Sequence, residues 1–338
     1  MTASMARRNF VGALVASAGL YGCGGGNGVT LPPQPVAKAV AYTAIGASDA
    51  AGYGASVTCN TAQNPVAVAL PACPGGTGYV PDLARLLGNG GAVVTLNDLG
   101  ISGAVIGPDI LALRNQYTSF DPASPGTSCL PRPPTDNPGD FITNELPNVK
   151  GNETLVTIFA GGNDTNAIVN AALCMTAGGA TQTVIANFIA TEIAAFGADF
   201  DRLRTGIAAK APGAKIVVAN LPNFAGIPFA QAPAVAPAKP LLQAVSVGID
   251  TNVYAAEAAA GVPTVDLLCD ARSYDPANYF TDGFHPNDAG YANLAGLYYS
   301  QIKATTPVRP QTNCQYATAF SAARRPLPRG IPAFDPVR

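Results

Sequence analysis

Short apolar segments alternate along this chain with longer segments that have helical periodicity. Apolar segments of this kind, flanked by Gly, Pro or Asn, are typical of strands that are buried on both faces. Because strands separated by helices need crossover connections, which are right-handed, the pattern predicts an α/β fold with a parallel sheet covered by helices on both faces. The predicted strands lie at residues 39–47, 92–100, 153–162, 215–222 and 262–267.

The longest helix is predicted over residues 183–213. Apolar side chains recur there at steps of three and four residues and form one stripe, and Pro212-Gly213 ends the helix. The stripe consists of Ile185, Phe188, Ile189, Ile193, Phe196, Phe200, Leu203 and Ile207. Further helices are predicted at residues 80–88, 240–261 and 287–304.

One domain is predicted over residues 36–306, because this part of the chain contains no internal repeat and no clear linker. Two Pro/Gly-rich insertions lie within it, at residues 117–150 and 224–239, and a Pro/Arg-rich tail follows at residues 307–338. The 338 residues are 48% hydrophobic and 12% charged, with a formal net charge of −2. This composition argues against a disordered chain and offers no positive surface for nucleic acid, so we expect no nucleic-acid partner.

The N-terminus has the features of an export signal. A basic region, in which residues 7–10 are similar to a twin-arginine signal, precedes an apolar stretch at residues 11–22 that is too short to span a bilayer. The sequence Leu20-Tyr21-Gly22-Cys23 resembles a bacterial lipobox, in which the cysteine is lipidated. We therefore predict a signal peptide at residues 1–22, a lipid anchor on Cys23 and a flexible tether at residues 23–35. The alternative is an ordinary cleaved signal peptide with a chance cysteine.

The other cysteines agree with export to the cell envelope. The chain has seven cysteines, and the six besides Cys23 are an even number, which in an exported chain indicates disulfides. Six cysteines allow fifteen pairings, of which we expect the neighbouring pairs Cys59–Cys73, Cys129–Cys174 and Cys269–Cys314. With one histidine and no C-x-x-C pair, the chain is predicted to bind no metal. We expect a monomer without a cofactor that contacts the membrane only through its anchor.

Polar or glycine-rich clusters follow the first, second, third and fifth predicted strands. In open parallel sheets, ligands bind beyond the carboxyl ends of the strands. Each cluster alone is typical of a turn or a helix start, but four clusters at one edge of the sheet indicate a site. The clusters contain Ser48; Gly100 and Gly103; Asn163; and Asp282 with His285, the only histidine of the chain.

The residue types in these clusters suit nucleophilic catalysis by a serine. A serine is activated at neutral pH by an adjacent base, and a carboxylate fixes the tautomer of that base. The separation of three residues lets a single turn deliver Asp282 and His285 together to Ser48. The backbone N–H groups of Ser48 and Gly103, with the side-chain amide of Asn163, would then stabilise the negative charge that develops on the carbonyl oxygen.

These clusters resemble the four blocks of the SGNH (GDSL-like) hydrolases, a family named after Ser, Gly, Asn and His. The blocks occur here in the same order, as AIGASDAAG, NDLGISG, GGND and DGFHPNDAGY. The resemblance implies a three-layer α/β/α sandwich with a five-stranded, mostly parallel sheet. It also implies Ser48 as nucleophile, with Asp282 and His285 as its acid and base. Gly103 and Asn163 would be oxyanion donors.

The resemblance implies an exported esterase that hydrolyses a small-molecule or lipid ester through an acyl-enzyme on Ser48. It selects no substrate, because the family includes lipases, lysophospholipases, thioesterases and carbohydrate acetylesterases. Residues 224–240 could line an acyl pocket or form a rigid surface loop. One departure concerns the residue before the serine, which is usually an aspartate in this family and is Ala47 here. Asp49 is a candidate to support the serine loop in its place.

Two other interpretations remain open at this point. An α/β-hydrolase would need the G-x-S-x-G elbow, but residues 46–50 lack the last glycine, and the D-x-x-H spacing is unusual for that fold. The second is a catalytically silent lipoprotein that uses the fold as a ligand- or partner-binding module. The absence of an aspartate before Ser48 makes this second interpretation possible.

Overall fold

The structure, a computed structural model, describes residues 38–58, 75–117, 129, 137–233 and 235–318. Its sheet has five parallel strands in the order β2-β1-β3-β4-β5. The predicted α/β fold with a parallel sheet is therefore confirmed. The strands are β1 (Lys38–Gly46), β2 (Ala92–Asp98), β3 (Leu155–Phe159), β4 (Lys215–Ala219) and β5 (Thr264–Val265).

Helices follow and connect these strands. The helix predicted over residues 183–213 is α5, and the one predicted over residues 240–261 is divided into α6 and α7 by a π-helical turn at Asp250–Tyr254. The helices are α1 (Ser48–Ala51), α2 (Tyr79–Asn89), α3 (Pro108–Gln116), α4 (Gly162–Ala177), α5 (Gln182–Lys210), α6 (Lys239–Ile249), α7 (Ala255–Ala259), α8 (Asp288–Lys303) and α9 (Gln315–Thr318).

The sheet separates two apolar cores, one on each face. Neighbouring residues of a strand point to opposite faces. Val217 and Ala219 of β4 thus belong to the core that contains α2 and α8, whereas Val218 belongs to the core that contains α4, α5 and α6. Two helical layers around one sheet make the expected three-layer α/β/α sandwich.

One helix in the described part of the chain, α5, is long and apolar enough to cross a membrane by length and composition. Its predicted apolar stripe lies in the core, where the side chains of Phe196, Phe200 and Leu203 are fully buried. Packing inside the domain therefore explains the apolar character of α5.

The periodicity analysis misses α3 and α4. The second of these begins at the GGND motif, where a tight turn is the common expectation, and every residue from 163 to 174 is buried. A helix that is buried on all sides has no polar face, so its sequence shows no amphipathic period. The segment at residues 167–173, which is apolar except for Asn170, therefore has no feature that distinguishes it from a strand.

The described residues of both insertions include side chains that are buried in the domain, such as Phe141 in the first. Residues 141–148 form a π-helical turn followed by a 3-10 turn. Ala225, Ile227 and Ala230 of the second insertion are buried in the core, so this segment is not a free surface loop.

Two disulfides join neighbouring cysteines, Cys129–Cys174 and Cys269–Cys314. The second holds the C-terminal segment against the loop that follows β5, where the rings of Tyr274 and Tyr316 also stack with their centroids 4.2 Å apart. The third predicted pair, Cys59–Cys73, lies outside the described residues, as do Cys23, the predicted signal peptide and tether, and residues 319–338.

Candidate active site

Ser48 lies directly after β1, at the carboxyl edge of the sheet. The preceding strand end leaves no room for a side chain at Gly46, because a Cβ there would lie 2.9 Å from the carbonyl oxygen of Phe159 and 3.0 Å from the Cβ of Ala50. After Ala47 the chain turns into α1, which begins with Ser48, ends at Ala51 and is followed by Gly52 in a left-handed conformation with φ of 80°. This short helix holds the nearly fully buried Ser48 at the rim of the sheet.

The side chains of Ser48, His285 and Asp282 form one hydrogen-bonded chain. The Oγ of Ser48 lies 2.8 Å from Nε2 of His285, and Nδ1 of His285 lies 2.7 Å from Oδ2 of Asp282. The other carboxylate oxygen of Asp282 accepts from the backbone N–H groups of Phe284 and His285 at 2.9 and 3.0 Å. Burial acts to raise the pKa of Asp282, but the hydrogen bonds and the charge of His285 outweigh it and lower that pKa. An ionised carboxylate at Nδ1 favours the tautomer in which Nε2 can accept the serine proton.

Aromatic rings and a tight turn hold the imidazole of His285, which is fully buried. The ring centroids of Tyr53 and Phe284 lie 4.5 and 5.1 Å from that of His285. The carbonyl oxygen of His285 accepts from the N–H of Phe280 at 2.8 Å, and Gly283 has φ of 69° in the turn between them. The side chain therefore has little freedom to leave Ser48.

Asn163 lies in the first turn of α4 and is tied to the loop that follows β2. Its Nδ2 donates to the carbonyl oxygen of Ala104 at 2.9 Å. The next residue, Asp164, accepts from the N–H of Ile106 at 2.8 Å, and burial raises the pKa of this carboxyl to about 7. These two hydrogen bonds fix the predicted oxyanion loop against the start of α4.

Two glycines shape the loop after β2. Gly103 has φ of 83°, and a Cβ on it would lie 3.2 Å from Nη2 of Arg114. A Cβ on Gly100 would lie 2.5 Å from the backbone nitrogen of Ala51, so Gly100 allows the loop to pack on α1. The structure thus places Gly103 on a loop that is bound both to α1 and to Asn163.

A pocket with an empty volume of about 860 Å³, part of it open to solvent, adjoins Ser48 and Asn163. Phe141, Phe224 and Phe284 form an apolar part of its wall. Phe224 is the first residue of the segment 224–240, which the sequence predicts either to line an acyl pocket or to form a rigid surface loop. The lining also includes the polar residues Asp49, Asp270, Arg272, Ser273, Asn278 and Asn293.

Glu145, which the sequence does not single out, contacts the end of the strand that precedes Ser48. Its Oε2 accepts from the backbone N–H of Gly46 at 3.0 Å, and its side chain is fully buried. Asp49, the candidate support for the serine loop, lies on the wall of the pocket. No sequence signal marks Glu145, because the insertion at residues 117–150 has neither a motif nor a clear period.

Several solved structures are similar to parts of this chain. Similar solved structures include an extracellular lipase from Streptomyces rimosus (18% identity, 78% of this chain and 99% of that chain, TM-score 0.48). A phospholipase A1 from Streptomyces albidoflavus (20% identity, 78% and 99%, TM-score 0.43) and the carbohydrate acetylesterase Est24 from Sinorhizobium meliloti (16% identity, 78% and 98%, TM-score 0.41) are also similar. No curated protein matches the chain.

A family model decides the classification. The model of the GDSL-like lipase/acylhydrolase family matches residues 44–292. This range covers most of the sequence. It includes Ser48, Asp282 and His285, the three residues that are joined by hydrogen bonds. The protein therefore belongs to the GDSL-like lipase/acylhydrolase family.

Proposed function

We propose that this protein is an exported serine esterase that hydrolyses carboxylic esters through an acyl-enzyme on Ser48. The observation that carries the proposal is the hydrogen-bonded chain from Ser48 through His285 to Asp282, with links of 2.8 and 2.7 Å. Both distances are short enough for proton transfer to and from the imidazole. Membership of a family of lipases and acylhydrolases supports the same chemistry.

Acylation begins when the Oγ of Ser48 attacks the carbonyl carbon of the ester and its proton moves to Nε2 of His285. The imidazolium that forms is stabilised by the carboxylate of Asp282. The electron pair of the carbonyl double bond moves onto oxygen, where the N–H groups of Ser48 and Gly103 and the amide of Asn163 stabilise it. When the intermediate collapses, the bond to the alcohol breaks and His285 donates its proton to the leaving oxygen.

Deacylation repeats these steps with water as the nucleophile. His285 takes a proton from a water molecule that attacks the acyl carbon, and the collapse of the second intermediate returns that proton to Ser48. The acid is released and the free serine is regenerated.

The amide of Asn163 is suited to the role of oxyanion donor. A side-chain amide carries two N–H bonds, and one of them is donated to the carbonyl oxygen of Ala104. That hydrogen bond orients the amide and leaves the second N–H for a substrate. A preorganised donor of this kind typically contributes about 3–4 kcal/mol to transition-state stabilisation.

The pocket supports an ester with an apolar acyl group. The aromatic rings of Phe141, Phe224 and Phe284 line the pocket that also contains Ser48. The burial of an acyl chain against such a wall contributes about 0.8 kcal/mol per methylene group. A panel of p-nitrophenyl esters from acetate to palmitate measures this contribution, and we expect kcat/KM to rise over the first few methylene groups.

Two disulfides support export, because disulfides persist in oxidising compartments. We further propose that the mature protein begins at a lipidated Cys23 and is held at the cell envelope, with a single domain over residues 36–306. Labelling of cells with a radioactive fatty acid should mark the protein, and Cys23→Ser should abolish that label. A protein that remains unlabelled contradicts the anchor but not the esterase.

A fluorophosphonate probe tests the esterase directly. We expect labelling of the purified protein that disappears in Ser48→Ala and falls sharply in His285→Ala. Ser273 lies on the wall of the same pocket, so Ser273→Ala is the matched control and should be labelled normally. A folded protein that takes no label and hydrolyses none of the esters would instead support the ligand-binding module.

A further inference from the structure

The end of β1 makes a hydrogen bond that a regular parallel ladder would not make. The chain continues beside β1 beyond the end of β2, since the N–H of Leu99 donates to the oxygen of Ala44 at 3.0 Å and that of Ile101 to the oxygen of Gly46 at 3.1 Å. In this register the N–H of Gly46 would donate to the carbonyl of Leu99. It donates instead to Oε2 of Glu145 at 3.0 Å. A carboxyl group from a distant segment therefore occupies a gap in the ladder between the hydrogen bonds of Leu99 and Ile101.

The carboxyl of Glu145 lies between the strand end that leads to Ser48 and the loop that leads to Gly103. Gly46 lies two residues before Ser48, and Ile101, whose N–H also faces the carboxyl of Glu145, lies two residues before Gly103. The nucleophile and the oxyanion loop diverge from this point. A shift of the carboxyl would therefore displace both of them.

The segment that carries Glu145 is itself attached to the oxyanion loop. The N–H of Val105 donates to the oxygen of Gly139 at 3.4 Å, and the N–H of Phe141 donates to the oxygen of Val105 at 2.9 Å. These hydrogen bonds fix the backbone of the segment, which then extends the Glu145 side chain to β1. The side chain of Ala47, next to the serine, is only a methyl group and cannot make a hydrogen bond that would support the serine loop.

The surroundings of Glu145 favour its neutral form. Burial raises the pKa of this carboxyl well above its ordinary value, and the nearby carboxyls of Asp98 and Asp140 raise it further, against the opposing effect of the N–H groups of Gly46 and Ile101. A protonated carboxyl still accepts the N–H of Gly46, and an amide of the same shape does so as well. Glutamine at position 145 should therefore keep the hydrogen bond to Gly46, whereas alanine should lose it.

We infer that Glu145 is a positioning residue that holds the strand end before Ser48 and the loop before Gly103 in the arrangement needed for attack. The inference rests on the proposed esterase function. A positioning role predicts a different result from a purely structural one. A misplaced oxyanion loop lowers kcat and leaves ground-state binding of the ester nearly unchanged, whereas a purely structural residue affects stability alone.

The test compares Glu145→Ala and Glu145→Gln in the full-length protein, with kcat and KM for p-nitrophenyl acetate and the melting temperature as readouts. We expect Glu145→Ala to lower kcat by about 30–100-fold, because a misplacement of about 1 Å costs on that order, with KM within about twofold of the original value. Glu145→Gln should keep kcat within about threefold. Glu153 is a buried carboxyl before β3, at the opposite edge of the sheet. Glu153→Ala, the control, should lower the melting temperature and leave kcat unchanged.

Either of two results would overturn the inference: an unchanged kcat in Glu145→Ala, or a loss in Glu145→Gln as large as that in Glu145→Ala. If the alanine variant does not fold, Glu145→Asp decides, because its shorter side chain withdraws from Gly46. A reduced kcat in that variant supports the inference, and an unchanged kcat overturns it. An unmodified protein that neither hydrolyses esters nor labels at Ser48 would refute the proposed function, and the inference with it, before any variant is compared.

Discussion

Replacing Asp282 by asparagine tests the hydrogen-bonded chain of the site most directly. Both oxygens of this carboxylate accept hydrogen bonds, Oδ2 from Nδ1 of His285 and Oδ1 from the backbone N–H groups of Phe284 and His285. An asparagine side chain has one acceptor oxygen and one NH₂ group, so each orientation of the amide places a donor against a donor. If the NH₂ group faces the imidazole, the tautomer with a protonated Nε2 is favoured, and this nitrogen can no longer accept the proton of Ser48.

The expected magnitude follows from the hydrogen bond and the charge that are lost. A hydrogen bond to a charged group contributes about 1.5–3 kcal/mol. The side chain of Asp282 is 21% exposed, so an effective dielectric constant of about 20 applies, and a carboxylate about 4 Å from an imidazolium then stabilises it by about 4 kcal/mol. The two contributions overlap, and we expect a loss of about 3–5 kcal/mol in the transition state, which lowers kcat by about 10²–10⁴-fold.

The assay is the hydrolysis of a p-nitrophenyl ester by Asp282→Asn, Asp282→Ala and the original protein between pH 6 and 9. Asparagine should be no more active than alanine, because alanine leaves room for a water molecule that can accept from Nδ1. Asp270→Asn is the control, since Asp270 lies on the pocket wall, where it pairs with Arg272, and it should change kcat by less than about threefold. An Asp282→Asn variant within about tenfold of the original kcat, or clearly faster than Asp282→Ala, would refute the reasoning.

Further predictions concern pH, disulfides and the oxyanion loop. Burial raises the pKa of Asp164 from 3.8 to about 7. Between these two pH values the folded state binds more protons than the unfolded state, so the free energy of unfolding falls as the pH rises from one to the other. The melting temperature should thus be lower at pH 8 than at pH 5, by a smaller margin in Asp164→Asn; an equal margin contradicts this. Loss of the Cys269–Cys314 disulfide in a double serine variant should cost about 2–4 kcal/mol in unfolding experiments, and an unchanged unfolding midpoint would argue against it. Gly103→Ala, strained at φ of 83°, should lower kcat by about 10–100-fold at unchanged KM. Gly88→Ala, where a Cβ meets open space, should not lower kcat, and equal kcat in both variants would exclude the donor role.

The meeting of Ser48 with His285 could be predicted from sequence because both follow strands of one parallel sheet, whose carboxyl ends lie at the same edge. Ser48 follows β1 and Asn163 follows β3, and these strands are neighbours in the sheet. Asp282 and His285 lie in one tight turn, in which Gly283 has a positive φ, so their side chains reach the site together. Local spacing and the carboxyl edge of a parallel sheet made these residues candidates, and the resemblance to the SGNH hydrolases implied their roles.

Glu145 could not be predicted in the same way. It reaches Gly46 from a segment without a regular period, and the two residues are 99 positions apart. The contact exists because the ladder between β1 and the chain after β2 is interrupted at the N–H of Gly46, which is a feature of three-dimensional geometry. The same limit applies to α4, whose burial on all sides removes the amphipathic signal.

The hydrogen bond between Ser48 and His285 joins residues 237 positions apart in the chain. Ser48 is near the start of the described residues and His285 is near their end, so almost all of this part of the chain must leave the ribosome before the two can meet. Closing so long a loop carries a large entropic cost, which only the docking of the complete sheet and of α8 can offset. Unfinished or partly unfolded chains would therefore be inert toward esters, and the rate of ester cleavage would report the fraction of molecules that have folded completely.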